Sequence, residues 1–284
     1  MKNIKALLLL FIATISFLFV SAQYTSFDTA KIGDNEKAGH YVKIRGFAMY
    51  YETYGVGEPL LLIHGNGGSI SNFMYQVPYF AKSYRVIVAD SRAQGKSADS
   101  GDSLSYEMMA DDFNALLDTL HLDSCYVVGW SDGGINALLL AMRHPGKVKK
   151  LAVTGACLWR DTTAIDPSAY EWAIKYNESF AKLTQTSEIK NNRKVAHLLS
   201  YEPHITTEQL NKIYCSSLII AGDHDVILPK HTLLIAASIP RAYLWIIPGS
   251  GNSTPIYHKD EFNDVIGDFF RTPYKKIEGL DRFN

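Results

Sequence analysis

The stretch that most restricts this chain is Val127-Val128-Gly129-Trp130-Ser131-Asp132-Gly133-Gly134. A run of β-branched residues breaks into G-x-S-x-G and passes at once into a helix pattern of small residues. A buried strand, a strained turn and a helix, in that order, hold a serine Oγ clear of the backbone at the end of a sheet. Gly129 and Gly133 carry no Cβ, so the turn can tighten and the helix can approach the strand. A glycine-rich turn with an incidental serine is the bland alternative, and the flanking patterns weigh against it. The stretch therefore predicts Ser131 as a nucleophile. The rest of the chain must then supply an acid, a base and an oxyanion hole.

Around this turn the sequence alternates strand and helix patterns. Two β-rich runs flank Gly46, as in an antiparallel pair at a sheet edge. Pro59 to Ile63, Val86 to Ala89, Leu151 to Thr154, Leu218 to Ala221 and Tyr243 to Ile247 are continuous apolar runs, the mark of strands covered on both faces. From Tyr106, the positions Met109, Phe113, Leu116, Leu117 and Leu120 share one helix face, with Asp111 and Asp112 expected to face away from it. Phe262, Val265, Ile266, Phe269 and Phe270 mark a closing amphipathic helix. Repeated β–α units predict an α/β fold with a mostly parallel, doubly wound sheet. Residues from about 158 to 203 read instead as helices rich in aromatics, with Trp159, Tyr170, Trp172, Tyr176 and Phe180. Such a stretch is too long for a plain connection and predicts a small helical lid over an aromatic-lined pocket.

The first residues read as an address rather than as fold. Lys2 and Lys5 precede fifteen apolar-rich residues, Ala6 to Val20, and Val20-Ser21-Ala22 forms an A-x-A-like site. That run falls short of the roughly 20 residues a spanning helix needs. The expectation is a signal peptide at 1–22, export to the periplasm or the medium, and one mature domain over 23–284 with no membrane span. Without Lys2 and Lys5 the 28 basic residues become 26 against 29 acidic ones, a net charge of −3. No basic footprint for nucleic acid follows from that balance. Cys125, Cys157 and Cys215 show no C-x-x-C spacing and read best as small buried hydrophobes. No metal or cofactor is implied, and the expected partner is a small-molecule substrate or ligand.

His64-Gly65-Asn66-Gly67-Gly68 follows an upstream core strand. Acyl transfer builds negative charge on a carbonyl oxygen, which two preset N–H groups stabilise. The candidates are the backbone N–H of Asn66 and that of Asp132. His64 is expected to orient this loop rather than act as base.

With these elements in hand, the chain resembles the α/β-hydrolase superfamily, in particular the small-lid branch with a Gly-Trp-Ser-Asp-Gly-Gly elbow, similar to valacyclovirase-like and haloperoxidase-like serine hydrolases. The likeness runs from about Tyr41 to Phe270. Asp90-Ser91-Arg92-Ala93-Gln94-Gly95-Lys96-Ser97 matches that family's D-x-R-x-x-G-x-S loop, which implies an architectural role for Asp90 and Arg92. The family's acid stands three residues after the glycine of Gly222-Asp223-His224-Asp225, which selects Asp225 over Asp223. Its base stands in a turn after the last strand, where this chain reads Pro248-Gly249-Ser250-Gly251-Asn252. Asn252 thus occupies the histidine's position, and an amide has no pKa that lets it accept the serine proton.

Three readings stay open at this point. His258 replaces the base; or the fold is kept for binding a small apolar ligand; or an altered chemistry uses Ser131 and the oxyanion hole without the relay. His204 is a further histidine to place, since lids line such pockets, whereas His224 and His144 are expected to point elsewhere. The Asp132 carboxylate is expected either to attract a cationic substrate group or to serve the turn. The leading expectation is a serine hydrolase for a small ester or amide.

Overall fold

The computed structural model describes residues 28–283; the expected signal peptide lies outside them. The chain enters the sheet through β1 (Gly39–Ile44) and β2 (Phe47–Tyr54), an antiparallel pair in which Ile44 stands opposite Phe47. Next come β3 (Glu58–Ile63), α1 (Gln76–Phe80), β4 (Tyr84–Ala89) and α2 (Tyr106–Thr119). They are followed by β5 (Cys125–Trp130), α3 (Asp132–Arg143) and β6 (Val148–Thr154). Helices α4 (Pro167–Ala181) and α5 (Ser187–Tyr201) then precede β7 (Ser216–Gly222), α6 (Pro229–Ser238) and β8 (Ala242–Ile247). Short α7 (Thr254–Tyr257) and α8 (Lys259–Arg271) close the domain.

The sheet order is β1-β2-β4-β3-β5-β6-β7-β8, parallel from β4 onward. Side chains alternate across a strand, so each core strand feeds two layers. Leu61 and Ile63 join Phe113, Leu138 and Leu140 on one face, and Leu60 and Leu62 join Phe80, Phe262 and Ile266 on the other. The chain leaves β3 for β4 on one side and returns to β5 on the other. Winding therefore reverses between β3 and β5, and open α/β sheets hold ligands outside the carboxyl ends of strands at such a point. The loop at His64 and the turn at Ser131 both leave the sheet there.

Two expectations need correction. Asp112 is fully buried, not turned outward. Arg92 reaches its carboxylate through Nε and Nη2, both at 2.7 Å, and Arg45 adds a third contact at 3.0 Å. A burial that is prohibitive for a lone carboxylate is met here by two guanidinium groups. Trp172 and Tyr176 do not line a pocket either. They stack on each other at 5.2 Å and stand exposed on the outer face of α4, whereas Ala173 and Phe180 of the same helix are buried and Trp159 and Tyr170 pack against the core.

Candidate active site

Ser131 sits at φ +55° and ψ −120° between β5 and α3. Its N–H donates to Thr154 O at 2.8 Å, and its carbonyl accepts from Gly134 and Ile135. This left-handed backbone is costly for a non-glycine residue and survives because the neighbours leave no alternative. A Cβ at Gly129 would lie 2.3 Å from Gly133 O, and one at Gly133 would lie 2.0 Å from Ile63 O. The two glycines thus let α3 press directly on β5 and β3. Across the gap, the Gly65 α-carbon faces Ser131 closely: a Cβ there would meet Ser131 Cβ at 3.1 Å. The H-G-N loop and the serine turn therefore share one wall.

Neither the Asn66 N–H nor the Asp132 N–H meets an acceptor among the described residues. Both amides adjoin the shared wall, Asn66 next to Gly65 and Asp132 next to Ser131, and acyl transfer calls for two preset donors of this kind. His64 holds the loop from beneath. Its Nε2 accepts from Ser91 N–H at 3.0 Å and its Nδ1 lies 2.8 Å from Gly65 O, so the proton sits on Nδ1. Burial pushes its pKa down and keeps it neutral. Asp90 does the same for the neighbouring loop, accepting from Ile70 N–H and Lys96 N–H.

Asp225 lies after β7, 5% exposed, and accepts at Oδ1 from Ile227 N–H (3.0 Å) and from Asn252 Nδ2 (2.8 Å). A carboxylate only accepts, so the amide must turn its nitrogen toward it. Trp130 Nε1 donates to Asn252 O at 2.8 Å and reaches its Oδ1 at 3.3 Å, fixing the residue from the elbow side. Gly155, with φ +64°, makes room: a Cβ there would stand 2.3 Å from Asn252 Nδ2. Asn252 is thus held between the Asp225 carboxylate and the Trp130 indole, and Ser131 Oγ makes no hydrogen bond among the described residues. Burial raises the Asp225 pKa, opposed by the Ile227 N–H and the Asn252 amide. Its Oδ2 is buried without a partner.

None of the other histidines makes a hydrogen bond to Ser131 among the described residues. His258 marks the junction of α7 and α8, not the first turn of the closing helix, and its side chain makes no hydrogen bond or ion pair among the described residues. His204 is 75% exposed beside Glu202 and shares a cleft with Leu139, Met142 and Arg143. Those residues lie 8 to 12 positions along α3 from Ser131, about 12–18 Å of helix rise. His144 pairs with Asp111 and His224 with Asp223. A cleft of about 930 Å³ opens between residues 98–104 and α5, and Ser131, Asp225 and Asn252 are not among its walls.

Asp132 serves neither role expected of its carboxylate alone. Oδ1 accepts from Arg160 Nη2 at 3.0 Å and Oδ2 from Asn66 Nδ2 at 2.7 Å. The ion pair is buried, with side chains 7% and 2% exposed. Burial works against the Arg160 charge, and the Asp132 carboxylate beside it opposes that loss, so the guanidinium keeps its proton. Burial pushes the Cys157 thiol up to about 11, so it is inert at neutral pH. Arg160 was invisible in the sequence because no motif includes it. Gly155 and Trp130 likewise gained their roles only through contact with Asn252.

A family model described as the alpha/beta hydrolase fold matches residues 58–173, which include Asn66, Ser131 and Asp132. The 2-hydroxymuconate semialdehyde hydrolase of Pseudomonas sp. (strain CF600) is 28% identical over 83% of this chain and 95% of its own length. Serine hydrolase BPHL of Homo sapiens is 26% identical over 81% of this chain and 85% of its own. Among solved structures, a hydrolase from Pseudomonas aeruginosa PA01 superposes with a TM-score of 0.72 at 19% identity, covering 84% of this chain and all of that one. A thermophilic esterase from Thermogutta terrifontis gives 0.70 at 21%, covering 82% and 98%. At those identities the superpositions establish the fold.

Proposed function

The chain is a member of the α/β-hydrolase superfamily, and on that footing we propose that it is a serine hydrolase for small esters or amides in which Ser131 takes the acyl group and no histidine of its own deprotonates it. The observation that carries this reading is the pair of free N–H groups, from Asn66 and Asp132, beside a strained Ser131 whose Oγ is uncommitted. Strain held in place by its surroundings in this way clusters at active sites. The relatives' hydrolase names support the reaction class.

In this reading Ser131 Oγ attacks the carbonyl carbon as the carbonyl bond opens. The Asn66 and Asp132 amides receive the oxyanion, and the leaving group departs as the carbonyl re-forms. The hydroxyl proton goes to water or to a basic atom of the substrate, because the Asn252 amide cannot take it. Asp225 holds Asn252 in place rather than stabilising an imidazolium. Turnover is then slow and favours activated acyl groups. Oxyanion hole and binding alone sustain about 10³–10⁴ over water, and losing the triad histidine costs about 10⁶ in kcat in subtilisin. Export into the periplasm or medium belongs to the same proposal.

A second reading, a silent hydrolase-like protein that binds a small apolar ligand, is favoured by one observation: the closed Asp225–Asn252–Trp130 contact set leaves nothing directed at Ser131. A fluorophosphonate probe separates the two. Labelling of Ser131 that vanishes in Ser131→Ala, with p-nitrophenyl acetate cleavage lost in parallel, supports the hydrolase. Activity indifferent to Ser131→Ala refutes the nucleophile, and absence of labelling in the unaltered protein supports the binder.

A further inference from the structure

The two residues assigned to the oxyanion hole are joined through their side chains, and both ends of that junction run into the lid. Arg160 Nε donates to Glu202 O at 2.9 Å, and Arg160 Nη2 to Asp132 Oδ1 at 3.0 Å. Asn66 Nδ2 donates to Asp132 Oδ2 at 2.7 Å and to Val195 O at 3.0 Å. Val195 belongs to α5 and Glu202 is its C-cap. The series thus leaves α5 at Val195, crosses Asn66, Asp132 and Arg160, and re-enters α5 at its carboxyl end.

From these contacts we propose that Arg160 and the Asn66 side chain are positioning residues that make the oxyanion hole depend on the seating of α5. The Asn66 amide spends both hydrogens, on Asp132 Oδ2 and Val195 O, and each Asp132 oxygen already accepts a hydrogen bond from within the series. The charges suit their places: a guanidinium at the carboxyl end of α5 and a carboxylate in the first turn of α3 each match the local helix dipole. Because Asp132 and Asn66 also carry the free N–H groups, the 2.7 Å side-chain bond sets the spacing of those two donors. If α5 lifts, Asn66 loses Val195 O and Arg160 loses Glu202 O, and the spacing is no longer held. Seated over the site, α5 completes the electrostatic cradle that acyl transfer needs.

This inference rests on Ser131 being the acyl acceptor, so its test runs in the Asn252→His background. Asn66→Ala keeps the backbone donor and removes both side-chain ties. Arg160→Lys keeps the charge beside Asp132 and loses the forked reach to Glu202 O. Deleting an oxyanion donor costs about 10²–10³ in kcat, and displacing one should cost part of that. Asn66→Ala is expected to slow fluorophosphonate labelling about 10–100-fold and to lower ester kcat with KM nearly unchanged. Peptides from α5 should exchange amide hydrogens faster. Arg160→Lys should slow labelling too, by less than Asn66→Ala does, and expose chiefly the carboxyl end of α5. An Asn66→Ala protein that labels at its parent's rate, or whose α5 amides stay equally protected, overturns the proposal. If Asn252→His itself is not labelled, the acyl-acceptor reading falls on its own. The α5 exchange in Asn66→Ala then decides the coupling: faster upholds it, unchanged overturns it.

Discussion

Asn252→His is expected to raise the reactivity of Ser131 by about 10²–10⁴-fold, the usual contribution of a general base. Asn252 Nδ2 already stands 2.8 Å from Asp225 Oδ1, where an imidazole Nδ1–H would donate. The Trp130 bond to the Asn252 backbone carbonyl, at 2.8 Å, does not depend on the side chain and survives the change. Gly155 lacks the Cβ that would crowd a side chain at position 252, and the added ring atoms are expected to bring Nε2 toward Ser131 Oγ. The expected gain corresponds to about 3–5 kcal/mol of barrier. It falls short of the subtilisin figure because the geometry around position 252 is adjusted to an amide. The assay is the second-order labelling rate with a fluorophosphonate probe, measured from pH 5 to 9. An imidazole acts as base only when neutral, and its ordinary pKa is about 6.5, raised by the Asp225 carboxylate and lowered by burial. The variant's rate should rise through the neutral range to a plateau, whereas the Asn252 protein should show no such inflection. A folded Asn252→His protein with no acceleration would refute the reasoning. So would an Asn252 protein that is already fast with an inflection near 7, which would mean that a base at another position serves Ser131.

Other outcomes follow from the same contacts. His231 is 2% exposed, its Nε2 accepts from Leu158 N–H at 2.9 Å, and burial lowers its pKa to about 4. A depressed histidine adds stability that is complete above the unfolded value of 6.5 and is lost as pH falls through about 4. That loss should amount to about 2–3 kcal/mol between pH 7 and 4, and His231→Gln should flatten it in denaturant titrations; an unchanged acid limb would contradict the assignment. Gly133→Ala puts a methyl 2.0 Å from Ile63 O, a backbone clash expected to cost about 3 kcal/mol or more. Wild-type thermal stability in that variant would show that the elbow is looser than described. Mass spectrometry of the exported protein should find Gln23 at the N-terminus, and a mature chain beginning at Met1 would exclude the leader.

How much of this was written in the chain can be judged element by element. The alternation of apolar runs and helix faces was enough for the parallel sheet, because a strand covered on both faces has to be apolar throughout. Gly129, Ser131 and Gly133 announced the elbow because few residues tolerate that backbone. Asn252 was found because the family that the chain resembles carries a histidine in the turn after the last strand, and its incapacity as a base follows from amide chemistry alone. Local pattern failed where a partner arrives from far along the chain. Asp112 looked like a solvent-facing residue of α2 until Arg45 and Arg92 were brought to it. Trp172 and Tyr176 have the composition of a pocket wall, and only the packing of α4 showed that they face outward.

By itself, then, the sequence determined the sheet and the strained serine turn, both properties of residue types and of their spacing along a few turns of chain. Asn252 was marked by the chain's resemblance to a family that carries a histidine there. Tertiary structure decided what surrounds them. It directed the Asn252 amide at Asp225, left Ser131 Oγ without a partner among the described residues, and tied Asn66 to Asp132 and Arg160 beneath α5. Residues 66, 132, 160 and 195 share no periodicity. Hydrogen bonds between them depend on distances of about 3 Å, which only the packed fold sets.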